Sequence, residues 1–470
     1  MGKYKYLLKN IGLLTLSSFA TKFLSFFLVP LYTNVLSTTE YGTYDLFNTT
    51  IGVLLPILTV NIHEAVLRFL LDKNNDRQAV TTVGARYFFK SNCIVAIGLL
   101  VNYTFGFSEL GKEYAVFFFL MYFAQSLSAI VMAYIRGVDR VADLSISSVV
   151  CSAVIIGCNI LFLLVFKWGL VGYFLANIFG PIAQCAYLIT RAHAKKDINL
   201  KEKYPHETGE MLAYSKPMIA NSVAWWINNA SDKYIVTFVC GLAENGVYSV
   251  ASKIPSIMNI FQTIFAQAWT LSAVKDFDPE DKNGFFANTY AAYNCLMVLV
   301  CSAIIITDKF LAKFLYAKNF YSAWQYVPWL TIAIVFGSLS GYIGGFFSAV
   351  KDSKQYAQST IIGAGTNIIL NFILTPLIGA LGAAIATTVC YWVTWIFRFV
   401  QSKKYIKLRV NIVRDSFSYV ILVAQAVALL VTNGVLMYAI EIGLFVVIAL
   451  LYIKDILSIL NKGLCVIGRK

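Results

Sequence analysis

The segments STTEYGTYDLF (residues 37–47) and GLAENGVYSVASK (residues 241–253) are polar, turn-like interruptions in an otherwise apolar chain. Both contain a glutamate, a glycine and a tyrosine at the same spacing: Glu40, Gly42 and Tyr44 in the first, and Glu244, Gly246 and Tyr248 in the second. A match this short does not prove a duplication. A frame that returns at a distance is nevertheless the signature of an internal repeat, so it must be tested against the rest of the chain.

The composition is that of an integral membrane protein. Of the 470 residues, 59% are hydrophobic and only 13% are charged, whereas a soluble domain has about 25% charged residues. Runs such as CSAVIIGCNILFLLVF (151–166) do not alternate between apolar and polar residues, which excludes the strands of a membrane barrel. The spans are therefore expected to be helices.

Charged residues and Gly-, Pro- or Asn-rich breaks divide the chain into stretches near the length of about twenty residues that crosses a bilayer. The sequence predicts an all-α polytopic membrane protein with about 14 transmembrane helices. The expected spans are 10–36, 42–70, 80–106, 113–136, 142–166, 168–191, 211–239, 243–273, 283–306, 323–349, 355–376, 378–401, 412–432 and 434–460.

The basic residues orient these spans. With the N-terminus placed in the cytoplasm, most of the 38 Lys and Arg residues fall at inner ends and loops, which predicts an N-in, C-in topology. The same loops account for the net charge of +14 and face anionic membrane lipids. No nucleic-acid partner is expected, because no soluble basic module is present to bind one.

The spans group into two halves of six. We expect an N-terminal six-helix bundle at 1–192, a basic cytoplasmic linker at 193–210, a second six-helix bundle at 211–402 and two additional helices at 403–470. Parallel repeats of this kind are typical of transporters that alternate between inward-open and outward-open states.

Further echoes support the repeat. GLVGYFLA (169–176) and GALGAAIA (379–386) each place two glycines three residues apart, a spacing that permits close helix packing. Arg136 and Asp139 correspond to Lys351 and Asp352. We therefore interpret the two Glu-x-Gly-x-Tyr segments as the outer turns that join span 1 to span 2 and span 7 to span 8. In this interpretation the glycine permits the turn and the tyrosine anchors it at the membrane interface.

Ionisable residues inside spans normally face a partner or a wet cavity. Lys22 and Lys253 lie deep in spans 1 and 8 and are the best candidates for binding an anionic substrate group. Arg86 and Lys90 share one helix face, where they either bind substrate or extend toward inner headgroups. Lys216 is expected to extend in the same way.

A second group suits gating or ion coupling. Asp45 and the Asp232–Lys233 pair lie toward predicted outer ends, where internal salt bridges or gate contacts are expected. His63 and Glu64 are adjacent near an inner end, with Arg68 four residues beyond Glu64. This arrangement fits either a proton-coupling pair or a simple ion pair on the helix face.

The chain carries no catalytic signature. HExxH, paired CxxC, GxSxG and phosphate-loop motifs are all missing from the sequence. No enzymatic activity, cofactor or metal site is expected.

Two sets of segments resemble the bacterial polysaccharide and lipid-linked oligosaccharide flippases of the multidrug/oligosaccharidyl-lipid/polysaccharide exporter superfamily. The first half carries KFLSFFLVPLYTNVLSTTEYGTYDL (22–46), AVLRF (65–69) and AYIRGVDR (133–140). The second half carries YSKPMIANSVAWWINNASDKYIV (214–236) and NGVYSVASKIP (245–255). The resemblance covers essentially the whole chain.

This resemblance implies a flippase of the bacterial cytoplasmic membrane that moves undecaprenyl-diphosphate-linked oligosaccharide units outward for O-antigen, capsule or exopolysaccharide synthesis. It implies cationic residues for the diphosphate and acidic residues for gating or a coupling ion. A polysaccharide polymerase and a chain-length regulator are implied partners. Lysine at position 233, where relatives often have arginine, retains charge but lacks a bidentate fork.

Two other functions stay open. A multidrug or cation antiporter of the same superfamily would favour an acidic, aromatic cavity, whereas this chain has more bases than acids in its spans. A glycan polymerase normally needs a large outer loop, and the longest one expected here, near 307–322, is short.

Overall fold

The structure, a computed structural model, describes residues 26–72, 74–275, 277–350 and 352–458. All regular secondary structure in these ranges is helical, which confirms the all-α prediction. The chain forms two compact units, Met1–Ala230 and Ser231–Lys470. We call them unit 1 and unit 2.

The helices of unit 1 follow the chain in order. They are α1 (Val29–Val35), α2 (Thr38–Leu58), α3 (Ile62–Leu71), α4 (Arg77–Phe105), α5 (Glu109–Glu113), α6 (Ala115–Gly137), α7 (Val141–Asn159, extended by a π-helical turn at Ile160–Val165), α8 (Gly169–Ala192), a 3₁₀ turn at Ala194–Asp197 and α9 (Pro205–Cys240). Helix α9 crosses the boundary between the units, so the polar segment 193–210 belongs to unit 1.

Unit 2 continues with helices of similar length. They are α10 (Leu242–Ala251), α11 (Ser256–Lys275), α12 (Phe285–Leu315), a 3₁₀ helix at Lys318–Gln325, α13 (Val327–Ala349), α14 (Ser353–Ile378), α15 (Ala380–Ser402), α16 (Ile412–Val431) and α17 (Gly434–Leu451).

The protein is a multi-pass membrane protein. Within the described residues, ten helices are long and apolar enough to cross a bilayer. Helices α2 and α3, bent by 58° at the break between them, form either an eleventh, broken span or a re-entrant loop. The predicted count of fourteen and the N-in topology stay predictions. Most of span 1 lies outside the described residues.

The segment 37–47 is not a glycine turn, so that interpretation is wrong. Ser37 caps α2: the Glu40 backbone N–H donates to Ser37 Oγ at 3.2 Å, and the Glu40 carboxylate accepts the Ser37 backbone N–H at 2.7 Å. Gly42 lies inside α2, as Gly246 lies inside α10, and neither has a positive φ. The spacing Ser-x-x-Glu is the sequence signal of this capping box.

In unit 2 a different glycine makes the turn. Gly241 adopts φ +91° between α9 and α10, a conformation that L side chains rarely adopt.

Predicted span 8 is broken, which corrects the expectation of one continuous helix at 243–273. Helix α10 ends at Ala251 and α11 begins at Ser256. Pro255 explains the break, because it lacks a backbone N–H and its ring clashes with the carbonyl four residues earlier.

The glycine echoes pack helices closely in both units, as predicted. A Cβ on Gly172 would lie 2.8 Å from Phe162 Cβ, and a Cβ on Gly382 would lie 2.4 Å from the backbone carbon of Leu374. Both glycines therefore permit helix contacts that alanine would block.

The segment between α8 and α9 is docked onto α4 rather than loosely tethered. Arg77 forms an ion pair with Asp197 at 2.5 Å, and Tyr134 donates to the same carboxylate at 2.6 Å. The Asn199 N–H donates to Thr82 Oγ1 at 2.9 Å. These bonds fix a charged connection against the helix bundle of unit 1.

Candidate functional site

A buried polar site lies in unit 2 around Asp232, a residue of α9 with 8% of its surface exposed. The Tyr248 hydroxyl, from α10, donates to Asp232 Oδ2 at 2.6 Å. Thr387 Oγ1, from α15, lies 3.4 Å from the same oxygen. The Lys233 backbone N–H donates to Oδ1 at 2.9 Å. Three helices therefore converge on one carboxyl group.

A ladder of amides and hydroxyls extends this site along α14. Asn367 Nδ2 donates to Thr387 Oγ1 at 3.4 Å, and Asn371 Nδ2 donates to Asn367 Oδ1 at 3.1 Å. Thr375 Oγ1 lies 3.5 Å from Asn371 Oδ1, and Ser231 Oγ lies 3.4 Å from Asn367 Oδ1. We call Asp232, Tyr248, Thr387, Asn367 and Asn371 the Asp232 hub.

The Asp232 carboxyl is a candidate position for an ion. It is buried next to the Tyr248 and Thr387 hydroxyls, and intramembrane carboxyls commonly mark ion pathways. Sequence reasoning found Asp232 but missed Asn367, Asn371 and Thr375. Their spacing of four residues places them on one face of a helix and is the signal that could have found them.

Lys233 is half-buried beside the hub, and its backbone carbonyl accepts the Thr237 hydroxyl at 2.7 Å. It follows Asp232 directly in α9, so the two side chains lie on different faces of the helix.

Lys253 occupies the break between α10 and α11. Its backbone N–H donates to the Val250 carbonyl at 2.9 Å, and its own carbonyl accepts the Ser256 hydroxyl at 2.5 Å. The side chain is half-buried. Non-helical backbone at membrane depth is tolerated only where it is buried in protein or lines a wet cavity, which strengthens Lys253 as a candidate for contacting a polar substrate.

Arg86 and Lys90 share a cavity of about 420 Å³ in unit 1 with a third cation, Lys203. Lys90 Nζ lies 4.7 Å from the centroid of the Tyr87 ring. Arg86 is partly committed elsewhere, because its guanidinium donates to the backbone carbonyls of Leu200, at 3.1 Å, and Glu202. Lys90 and Lys203 are exposed, so they are the more accessible positive charges of this cavity.

His63 and Glu64 lie at the start of α3, directly after the bend that follows α2. His63 Nε2 lies 3.6 Å from Glu64 Oε1, and within the described residues His63 Nδ1 has no hydrogen-bond partner. Arg68 lines a separate cavity with Asp72 and Glu210. The structure thus pairs Glu64 with its neighbour His63.

The other two predicted residues are placed differently. Asp45 is buried in α2, with 7% of its surface exposed. Lys22 lies outside the described residues. Among the predicted site residues, the Lys233 backbone N–H contacts the Asp232 carboxyl, His63 lies beside Glu64, and Arg86 shares a cavity with Lys90.

The chain is similar to known proteins both in sequence and in fold. Residues 7–271 match the model of the family described as "Polysaccharide biosynthesis protein". The chain is 21% identical over 305 residues to the probable low-salt glycan biosynthesis flippase Agl15 of Haloferax volcanii. That match covers 64% of this chain and 63% of the relative's length, so it spans less than two thirds of that protein.

Solved structures share the fold at low identity. The lipid II flippase MurJ, in an inward closed conformation, matches with a TM-score of 0.68 and 15% identity over 95% of this chain and 99% of its own. An inward-facing multidrug resistance transporter of the MATE family and MOP superfamily matches with a TM-score of 0.64 and 13% identity, over 82% and 94% of the two chains. The fold is therefore that of the superfamily predicted from the sequence. Because the family match spans more than half of its residues, the chain belongs to the polysaccharide biosynthesis protein family.

Proposed function

We propose that this protein is a flippase, rather than an enzyme, that moves lipid-linked oligosaccharide across a membrane by alternating access. Its proposed cargo is an undecaprenyl-diphosphate-linked repeat unit for O-antigen, capsule or exopolysaccharide, and its proposed location is the bacterial cytoplasmic membrane. A polysaccharide polymerase and a chain-length regulator would act on the delivered unit. The observation that carries the proposal is membership of the polysaccharide biosynthesis family, supported by a relative and a fold neighbour that are both named as flippases.

The cationic residues supply chemistry for a diphosphate. Charge-assisted hydrogen bonds from Lys and Arg to phosphate oxygens are stronger than neutral ones. Lys253 offers an ammonium group at a helix break, and Lys90 with Lys203 offers two more in an open cavity. Together with Lys22 and Arg86, these are our candidates for binding the anionic headgroup.

The Asp232 hub is our candidate for the coupling ion. Proton or cation binding at Asp232 would change the charge at the point where α9, α10 and α15 meet. Ionisable residues inside membrane spans are costly and usually functional. For that reason we propose that gating or ion coupling also involves Asp45, Lys233, His63 and Glu64. We expect Asp232→Asn to retain substrate binding and to lose the dependence of transport on an ion gradient.

The test is flipping of a fluorescent undecaprenyl-diphosphate oligosaccharide in proteoliposomes. Losing a hydrogen bond to a charged group costs about 1.5–3 kcal/mol, so Lys253→Ala should slow flipping about tenfold or more, and Lys253→Arg should restore part of the rate. Lys112→Ala is the control for loss of a lysine charge, because Lys112 is exposed and its ammonium lies 5.5 Å from the Tyr103 ring centroid.

The results separate three conclusions. Flipping that is lost in Lys253→Ala and kept in Lys112→Ala supports both function and site. Flipping that no cationic substitution affects keeps the function and rejects the sites. If the wild-type protein exports cationic drugs but does not flip the lipid under imposed ion gradients and membrane potential, the antiporter alternative is favoured. We consider this alternative because the fold is similar to that of a MATE transporter.

A further inference from the structure

Two carboxyl groups of unit 2 lie buried outside the Asp232 hub. Asp308, on α12, and Glu441, on α17, are both 0% exposed. Within the described residues, all four of their carboxyl oxygens are buried without a hydrogen-bond partner. The buried carboxyl of Asp415 on α16, by contrast, does have partners: it accepts the Tyr452 hydroxyl at 3.0 Å and pairs with Arg414 at 3.1 Å.

The polar groups around Glu441 are already committed to other partners. Gln425, on α16, donates its amide N–H to the backbone carbonyl of Glu441 at 3.3 Å. The Gln425 side-chain oxygen accepts the Ser302 hydroxyl, from α12, at 2.7 Å. Three helices therefore close around the Glu441 side chain without solvating its carboxyl oxygens.

The nearby cation does not pair directly with either carboxyl. Lys309 interacts electrostatically with both Asp308 and Glu441, but its ammonium donates to Asn433 Oδ1 at 3.1 Å and to the Thr432 carbonyl at 3.4 Å. It also lies 4.3 Å from the Trp324 ring. Among the described residues it forms no ion pair within 4.0 Å.

The remaining titratable groups that face this region are two tyrosines. Tyr321, from the 3₁₀ helix at 318–325, interacts electrostatically with Asp308 and with Tyr438 of α17. Neither tyrosine supplies a positive charge. Lys309 is thus the one cationic side chain that the described part of the chain places near the two carboxyls.

An ionised carboxylate in such surroundings is strongly disfavoured, because burying an unpaired charge costs far more than burying a neutral group, and the group neutralises instead. A metal cation would need several oxygen ligands. In this structure the Gln425 side-chain oxygen accepts the Ser302 hydroxyl, and the described residues include no cluster of three or more His, Cys, Asp or Glu side chains that could hold a metal ion. A proton needs only one oxygen.

We propose that Asp308 on α12 and Glu441 on α17 each bind a proton, so that both carboxyls are protonated while they are buried. When a conformational change exposes these carboxyls, each releases its proton to water, and the Lys309 ammonium offsets one of the two resulting negative charges. Proton binding stands on the geometry alone. Its use to drive transport rests on the proposed function.

The first test does not need a substrate. Infrared difference spectra of the purified full-length protein should show the carbonyl band of protonated carboxylic acid at neutral pH, reduced in Glu441→Gln and in Asp308→Asn. Labelling with N,N′-dicyclohexylcarbodiimide, which reacts with protonated buried carboxyls, should modify Asp308 and Glu441 and decline as pH rises. Glu40, whose carboxylate accepts hydrogen bonds from the Ser37 N–H and hydroxyl at an exposed helix start, is the unlabelled control in the same digest.

Each outcome decides the proposal. A wild-type spectrum that neither substitution changes, with no label at either residue, overturns it. Labelling that sodium suppresses at constant pH also overturns it, in favour of a cation site. If Glu441→Gln does not fold, Glu441→Asp should shift the infrared band without removing it. If a proton gradient accelerates flipping in the wild type but not in Glu441→Gln, proton binding at Glu441 is coupled to transport. If the gradient has no effect on flipping, the proposal of proton binding still stands.

Discussion

Helices α2 and α10 begin with the same Glu-x-Gly-x-Tyr frame and then diverge. Helix α2 runs for 21 residues before it bends into α3, whereas α10 ends after 10 residues. When Gly42 is aligned with Gly246, Pro255 takes the position of Ile51 in unit 1, and Lys253 takes that of Thr49. Pro255 and Lys253 therefore lie at a helix break, whereas the aligned residues of unit 1, Ile51 and Thr49, lie inside a continuous helix.

The shared tyrosine also has different partners. In unit 1 Tyr44 packs against aromatic rings, with its centroid 4.5 Å from that of Tyr173 and 5.9 Å from that of Phe174. In unit 2 Tyr248 donates to the Asp232 carboxyl at 2.6 Å. The comparison shows that a repeated frame preserves helix starts, while single substitutions decide which copy holds a polar site.

The largest effect in this comparison is expected when proline is introduced at position 51 of unit 1 and removed from the aligned position 255 of unit 2. Ile51→Pro should destabilise the protein by about 3 kcal/mol or more, because proline inside a helix removes a hydrogen bond and clashes with the preceding turn, and Ile51 is fully buried. Pro255→Ala should change stability by about 1 kcal/mol or less. Thermal unfolding in detergent measures both, and equal effects would contradict the assignment of the break to Pro255.

The two tyrosines give the next largest difference. Tyr248→Phe should cost about 1–3 kcal/mol, because it leaves the buried Asp232 carboxyl without its short hydrogen bond. Tyr44→Phe should cost about 0.5 kcal/mol or less, since the ring contacts remain. Unfolding midpoints of the two variants in one detergent provide the measurement. A larger loss in Tyr44→Phe would show that its hydroxyl has an essential role of its own.

Glu40 and Glu244 should be energetically coupled to different residues. Glu40→Ala removes a capping box and should cost about 0.5–2 kcal/mol, with little added by Ser37→Ala because the two residues act together. Glu244 accepts the Tyr326 hydroxyl from a distant part of the chain, so Glu244→Ala should be non-additive with Tyr326→Phe instead. Double-mutant cycles test this, and additivity in either pair would contradict the corresponding contact.

The smallest effect is expected at the Asp139 and Asp352 echo. Asp139 sits in a left-handed turn with φ 60°, whereas Asp352 caps α14 and accepts the Tyr405 hydroxyl at 2.5 Å. The Tyr405 hydrogen bond, with the Gln355 N–H, lowers the pKa of Asp352. This contact therefore stabilises the folded state fully above the usual aspartate pKa of about 3.9, and the stabilisation is lost as pH falls through the lowered pKa of Asp352.

Hydrogen exchange of residues 403–407, corrected for the intrinsic pH effect, should rise modestly toward acid in the wild type. In Asp352→Asn it should be independent of pH over the same range. A wild-type profile as flat as that of the variant would show that the Asp352–Tyr405 bond does not hold this turn.

The sequence was informative wherever local chemistry decides structure. Apolar runs predicted the helices, the Ser37-x-x-Glu40 spacing contained the cap even though we interpreted it as a turn, and glycines at 172 and 382 marked close packing. Buried ionisable residues such as Asp232 could be selected because charge is rare and costly inside a membrane.

By itself, then, the sequence determined the membrane class, the helical fold, the repeated frame and the family, since these depend on hydropathy and spacing along the chain. Only the tertiary structure decided which groups meet: Tyr248 with Asp232, and Asn367 with Thr387. It also left the Asp308 and Glu441 carboxyls without a hydrogen-bond partner among the described residues. Those contacts join residues far apart in sequence, and the energy of a buried polar group depends on its neighbours in space. Hydropathy reports that a charge is buried, but only packing shows whether it is paired.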